Sequence, residues 1–222
     1  MSDVVHDPES TRDRIVASAG EVFADKGFDD ATIREICQRA GANIAAVNYY
    51  FGDKETLYVE TLKAAHEWRM SQARMPEWPA GTPADLKLAD FITTMVRRMV
   101  VGDSACHIRL LLRELLRPDS VCADVARDYI RPEFESLQAI LRELVGPGLR
   151  DEKLRMLAFS IVGQCLHYRV ADALVRKLVS AEEYATYTPE FLAKHILEFT
   201  NHAISGYAPG ALRKAGREGR DA

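Results

Sequence analysis

The stretch 31-ATIREICQRAGANIAAVNYYFGDKETLY-58 decides the fold. It holds two apolar runs at helical spacing, joined by a glycine turn and followed by a third helical start. Thr32-Ile-Arg-Glu35 is a capping box, predicting that Thr32 and Glu35 satisfy each other's backbone donors. Ile33, Ile36 and Ala40 give that helix its buried stripe, and Gly41 closes it. Asn43 caps a short helix over Ile44 to Phe51, which Gly52 ends, and Asp53 caps another reaching to about Arg74.

Outward from this stretch, helical periodicity runs almost end to end, and no segment alternates as a strand. A first helix starts at Ser10 or Thr11, with Ile15, Val16, Ala19 and Phe23 on one face and Gly27 as a left-handed C-terminal cap. Three prolines between Met75 and Pro83 make a loop. Helices follow over Leu86 to Val101, Ser104 to Arg117, Asp119 to Val145, Glu152 to about Leu178, and Pro189 to Tyr207. The tail after Pro209 is rich in glycine and basic residues, as frayed ends are. The expected fold is all-α.

With 222 residues and a formal net charge of −4, the chain has ample apolar content for a core and no global mark of nucleic-acid binding. Residues 1–54 carry six bases against ten acids, so any DNA contact must rest on a local surface. Met1 to Ser10 has no apolar signal region, and the uncharged run Met156 to Tyr168 falls short of the roughly 18 apolar residues a membrane span needs, arguing against a membrane partner. Cys37, Cys106, Cys122 and Cys165 show no C-x-x-C spacing; they read as free thiols of a cytoplasmic protein, mostly core filler. His107, His167, His195 and His202 form no tight ligand cluster, so no metal is expected. No P-loop, dinucleotide fingerprint, H-E-x-x-H, G-x-S-x-G or paired E-x-x-H motif is present, so neither catalytic residues nor a cofactor are expected.

Helix, glycine turn and short helix is the geometry of the helix-turn-helix, whose second helix enters a DNA major groove. Ile33, Ile36 and Val47 face inward, leaving Ile44, Ala45, Ala46, Asn48 and Tyr49 outside. Small apolar residues allow close approach to thymine methyls, while Asn48 and the tyrosine hydroxyls suit phosphates. The N-termini of the second and fourth helices offer further N–H groups. Lys54 sits where the dipole of the fourth helix disfavours a cation, a conflict that an arriving anion would relieve.

The span Thr11 to Leu57 resembles the DNA-binding domain of the TetR family of bacterial repressors. The resemblance rests on Ala19 to Phe28, Thr32-Ile-Arg-Glu-Ile36, Ala40-Gly41 and Tyr49-Tyr-Phe-x-Asp-Lys-Glu-x-Leu-Tyr58. It implies DNA contacts at Thr32, Arg34, Asn43, Ile44, Ala45, Ala46, Asn48, Tyr49, Tyr50 and Lys54. Most members have Leu-Tyr-Tyr or Ile-Tyr-Tyr where this chain has Val47-Asn48-Tyr49. That departure, with Arg113-Glu114, Tyr129-Ile-Arg-Pro132 and Gly163-Gln-Cys-Leu-His-Tyr-Arg169, is similar to the CecR-type subgroup.

The expected division is a reading head over 1–54 and a ligand-binding and dimerisation domain over 55–222. The helix from Glu152 is apolar on two sides, where a monomer's surface helix needs one stripe. A homodimer interface at Leu154, Ala158, Ile161, Cys165, Phe191, Ile196, Phe199 and Ala203 is expected, as the resemblance also implies; a deeply buried helix in a monomer is the other explanation. Phe91, Met95, Met99, Leu111, Phe134 and Tyr168 would wall a cavity for a small amphipathic effector, with Arg113, Gln164 or Tyr168 as polar contacts, although core packing accounts for them nearly as well. Together these describe a repressor that binds a palindromic double-stranded DNA operator and is released by its effector. A helical enzyme and a ligand-carrier dimer without operator binding are the competing classes.

Overall fold

The computed structural model describes residues 10–100, 105–116 and 126–207. All its elements are helical: α1 (Thr11–Asp30), α2 (Ile33–Ala40), α3 (Ile44–Phe51), α4 (Lys54–Gln72), α5 (Ala84–Val100), α6 (Ala105–Leu116), a π-helical turn (Ala126–Ile130), α7 (Arg131–Val145), α8 (Asp151–Val170), α9 (Asp172–Leu178), α10 (Ala181–Ala185) and α11 (Pro189–Ser205). The start of the expected Asp119–Val145 helix, Cys122 and the tail after Pro209 lie outside the described residues. No described helix is long and apolar enough to cross a membrane.

The described chain forms two compact units, and neither follows the expected boundary at residue 54. The first holds α1 to α4 with α6 and the π-helical turn. In its core, α1 packs against α2, α3 and α6, and α4 contributes Leu57, Tyr58, Leu62 and Ala65. Phe23, Phe28 and Tyr58 form an aromatic trio, with the Phe23 and Tyr58 rings edge-on at 4.7 Å. α1 is interrupted at Gly27, which takes a positive φ of 83° with ψ −179°, off the left-handed helical values expected of a cap; the chain bends there and a short last turn reaches Asp30. Arg113 of α6 donates to the carbonyl of Lys26 at 2.9 Å, filling the space a Cβ on Gly27 would need. The Arg113-Glu114 pair of the sequence motif therefore begins with a residue that holds the bend of α1.

The second unit is built around α5, which packs on α7, α8 and α11. Arg98 of α5 is fully buried; it donates to the carbonyl of Ala73 at 2.6 Å and pairs with Glu133. A buried guanidinium is tolerable only when so engaged, and here it ties the segment before α5 to the first turn of α7.

Of the expected long helices, one is widened and one is broken. The π-helical turn precedes α7 because Pro132 lacks an N–H and its ring would strike the carbonyl four residues back; the backbone widens there and restarts with proline in the first turn. The helix expected from Glu152 to Leu178 ends at Val170 and resumes at Asp172, with Ala171 at φ −100° and ψ 13°. No glycine or proline marks that break. From outside it is held by Tyr184 donating to Asp172, while Arg176, one turn on in α9 itself, donates to the same carboxylate at 3.0 Å. The sequence reading also lacks α10, although Ser180 caps it by accepting from the N–H of Glu183 at 3.1 Å.

Candidate nucleic-acid interface

The turn between α2 and α3 is built from local signals. Thr32 caps α2 by accepting from the N–H of Glu35 at 3.2 Å. The reciprocal half of the expected capping box is not used, because the Glu35 carboxylate pairs with Lys26 at 2.7 Å and lies 3.9 Å from Arg39. Gly41 ends α2 at φ 60° and ψ 34°, a conformation that favours glycine, and its N–H returns to the carbonyl of Cys37. Asn43 caps α3 by accepting from the N–H of Ala46 at 2.8 Å.

Burial then fixes how α3 is presented. Val47 is 0% exposed and Phe51 is buried beneath the Arg12 guanidinium, itself paired with Glu60 at 2.6 Å. These anchors leave Asn43, Ile44, Ala45, Asn48, Tyr49 and Tyr50 outside, with Ala46 half-buried. Tyr49 is 83% exposed, touching Tyr50 edge-on at 5.0 Å. No residue of α3 is charged. Thr32 and Arg34 are also exposed, at the start of α2.

The basic residues around this surface are mostly spent internally. Lys26 pairs with Glu35, Arg39 with Glu21 at 3.2 Å, Arg12 with Glu60, and Arg14 donates to the carbonyl of Ala40 at 3.3 Å. Arg34 makes no hydrogen bond or ion pair with any described residue. Lys54 corrects an expectation: its ammonium donates to the carbonyl of Asp29 at 3.1 Å and lies 4.6 Å over the Phe28 ring. Its conflict with the α4 dipole is thus relieved by the carbonyl end of α1 and an aromatic face, without an outside anion. The N-terminus of α4 is corrected likewise. Asp53 accepts there from the N–H of Thr56 at 2.7 Å, which holds its carboxyl below the usual range. A carboxylate already occupies the place offered to a phosphate.

The expected effector residues do not form one set. Phe91, Met95, Phe134 and Tyr168 belong to the core of the second unit, and Met99 is buried. Leu111 packs on the core of the first, and Arg113 is committed to Lys26 there. Gln164 donates to the carbonyl of Ser160 at 3.4 Å and lines a cavity of about 220 Å³ between α8 and α11, with Met156, Phe199, Thr200 and Tyr207.

The expected interface residues are also divided. Leu154, Ala158, Ile161, Cys165 and Ile196 are interior, Ile161 being 1% exposed. They pack within the second unit because α8 turns this stripe toward α5 and α11. Burial pushes the Cys165 thiol up to about 12. Phe191 and Phe199 stay exposed and Ala203 half-buried. Also exposed are Met156 and Phe159 of α8, the latter stacked on Phe134 at 4.7 Å, and Val170 at its end.

Comparison with known proteins adds three findings. A family model described as "HTH-type transcriptional dual regulator CecR, C-terminal domain" matches residues 84–206, and one described as "Bacterial regulatory proteins, tetR family" matches 15–61. The HTH-type transcriptional dual regulator CecR of Shigella flexneri is 26% identical over 177 residues, which cover 75% of this chain and 79% of that protein. Two solved structures share the fold. A bacterial regulatory protein in the tetR family from Rhodococcus RHA1 aligns at a TM-score of 0.66 and 20% identity, over 88% of this chain and 97% of its own. AibR, solved in complex with isovaleryl coenzyme A and operator DNA, aligns at 0.63 and 16% identity, over 86% and 97%.

Proposed function

The chain belongs to the TetR family of bacterial regulators, in its CecR-type branch, and from that premise we propose that it is a homodimeric, ligand-responsive repressor of a near-palindromic operator. A DNA-binding transcriptional regulator of this family is not an enzyme. The observation that carries the finer reading is α3: two buried side chains anchor it, while Tyr49, at 83% exposure, and its neighbours have no structural task on the outer face.

In this reading residues 1–54 are the head and 55–222 sense and dimerise. Ile44, Ala45, Ala46 and Asn48 enter the major groove, and Arg34, a base with no partner among the described residues, addresses a guanine edge. Thr32, Asn43, Tyr49, Tyr50 and Lys54 hold the phosphate backbone on either side. Reading a two-fold site takes two heads. The partner surface is the outer face of α8 and α11, with Met156, Phe159, Phe191 and Phe199, rather than the interior stripe. A small amphipathic effector would act in the second unit, near Phe91, Met95, Met99, Phe134, Gln164 and Tyr168. AibR, crystallised with a coenzyme A thioester and operator DNA, supports the idea that this fold can serve both partners.

The test is selection of bound duplexes from sheared genomic DNA, followed by a salt titration on the enriched site. Affinity falls steeply with salt, and Arg34→Ala relaxes base preference at one position of each half-site. A protein that enriches no sequence, or an Arg34→Ala variant with unchanged preference, defeats the assignment. A reporter placed behind the enriched site decides repression against activation.

A further inference from the structure

We propose that the cleft where α8 ends, bounded by α9, α10 and the start of α11, binds a small planar carboxylate. The proposal rests on the ligand-responsive reading above and gives it a site and a chemical class different from the expected cavity. The cleft has a volume of about 100 Å³ and is open to solvent. Its walls are Tyr168, Arg169, Asp172, Arg176, Tyr184 and Tyr187. Val100 and Leu192 add an apolar floor.

Its shape follows from the broken helix. The chain stops at Ala171, and Asp172 then anchors two neighbours: the Tyr184 hydroxyl donates to one carboxylate oxygen and Arg176 to the other. The Arg176 guanidinium lies 4.0 Å over the Tyr184 ring. Tyr187 donates its hydroxyl to Glu183 at 2.9 Å, stacks on Phe191 at 5.9 Å, and stands edge-on to Tyr168 at 6.1 Å. Every aromatic wall is thus held in place before any ligand arrives, which lowers the ordering cost of binding.

Charge selects the ligand. Both oxygens of Asp172 are occupied, and Glu183 is engaged by Tyr187. Arg169 is half-buried and has no hydrogen bond or ion pair with a described residue. Among the groups that line the cleft, two guanidiniums face one carboxylate whose oxygens are both taken; Glu183 keeps its own charge outside the lining, beside the Tyr187 hydroxyl, and it is the Arg169 fork whose donors are unspent. That balance suits a monoanion and disfavours the quaternary ammonium that three tyrosines alone would suggest. A guanidinium fork matches a planar carboxylate in two parallel hydrogen bonds, and the tyrosine faces suit a flat group attached to it. The volume limits that group: an engineered cavity that admits benzene measures roughly 150 Å³, so here the carboxylate and part of a ring are enclosed while the rest emerges. Bridging Arg169 on α8 and Arg176 on α9, the anion would clamp the break at Ala171.

The test is isothermal titration of the full-length protein with benzoate, with benzamide as its uncharged twin and inorganic phosphate and choline as controls. Benzoate is expected to bind in the millimolar range, as a ligand of so few atoms does, and benzamide at least about tenfold more weakly. Arg169→Gln weakens benzoate at least about tenfold, and Arg169→Lys, which keeps charge but not the fork, by less. Circular dichroism verifies that each variant folds. Equal affinity for benzoate and benzamide, or a folded Arg169→Gln variant that binds benzoate normally, overturns the site. Phosphate or choline binding as tightly as benzoate overturns the chemical class. Operator release by benzoate is measured separately. Binding without release keeps the site and defeats its role in ligand response, whereas release by an effector that does not compete with benzoate places the switch elsewhere.

Discussion

α3 and α8 both bury one stripe and expose another, but their exposed faces differ. That of α3 is polar-edged and uncharged, with tyrosine hydroxyls, an asparagine amide and small alanines over anchors at Val47 and Phe51. That of α8 carries Met156 and Phe159, while its other stripe already fills a core. A surface with hydrogen-bonding groups and room for close approach suits a polar, grooved partner; one with large apolar groups suits an apolar partner. Two helices of one chain thus present faces suited to different kinds of partner.

The strongest way to break that comparison lies within α8. Ile161→Glu puts a carboxylate into the second core, and an uncompensated buried charge of this kind costs about 3–5 kcal/mol, enough to unfold that unit. Phe199→Glu with Met156→Glu changes only exposed positions; Phe199 is 56% exposed. This pair is expected to leave each chain folded with a thermal midpoint within a few degrees of wild type, but monomeric by analytical ultracentrifugation. A folded Ile161→Glu protein, or a dimer surviving the exposed pair, would reverse the assignment of the two stripes.

A second test concerns the response of the first unit to acid. His66 of α4 is buried and stacked on Tyr129 at 5.2 Å; burial first, and the nearby Arg69 charge second, lower its pKa from 6.5 to about 4. Above pH 6.5 the imidazole is neutral in both folded and unfolded chains, and its contribution to stability is at its greatest. Between 6.5 and about 4 the unfolded chain takes up a proton that the folded chain refuses, so stability falls as pH falls. The loss is about 3 kcal/mol across that window. Urea denaturation at stepped pH, followed through the first unit, should show this slope, and His66→Met should flatten it. A slope unchanged in that variant would assign the acid sensitivity to other groups.

Gly27 and Gly163 give a smaller contrast. Gly27 sits at φ 83°, a conformation that strains any side chain, and a Cβ there would also displace the Arg113 guanidinium, so Gly27→Ala should cost about 1–2 kcal/mol. Gly163 lies exposed within α8 with nothing within 4 Å of an added Cβ, so Gly163→Ala should raise helix stability by up to about 1 kcal/mol. If its face packs against a second copy, the same change weakens the dimer; differential scanning calorimetry beside a dilution series separates the two effects.

How far the sequence was legible follows the same divide. Around α3 each deciding signal is local: Thr32, Asn43 and Asp53 cap, Gly41 turns, and Val47 has one side to bury. Those signals act within four residues and survive any tertiary arrangement. Even there, Glu35 and Lys54 took partners from α1, beyond the reach of a local motif. In α8 the two stripes are equally apolar, and the packing of α5 and α11 decides between them. The break at Ala171 has no breaker residue; its outside partner is Tyr184, which donates to Asp172 from a separate helix. A usable signal was present in Ser180-Ala-Glu-Glu183, a capping box that announces α10 and with it the tyrosines of the cleft.

The smallest expected effect is at Lys54, and it sharpens what kind of surface α3 belongs to. Its ammonium already has a carbonyl acceptor and an aromatic face within the protein. An ammonium carries three donors, so a phosphate can still take one, but moving Lys54 fully outward would sacrifice both internal contacts. Lys54→Ala should therefore weaken binding to specific and random duplexes by the same factor, under about tenfold, and lower the salt slope by no more than about one. Arg34 has no internal contact to give up, so its loss should exceed that of Lys54 on the specific duplex and fall below it on random DNA. Filter binding of both variants at four salt concentrations measures this. If Lys54→Ala proved the more sequence-selective loss, the base-reading surface would lie at the junction of α1 and α4 instead of on α2 and α3.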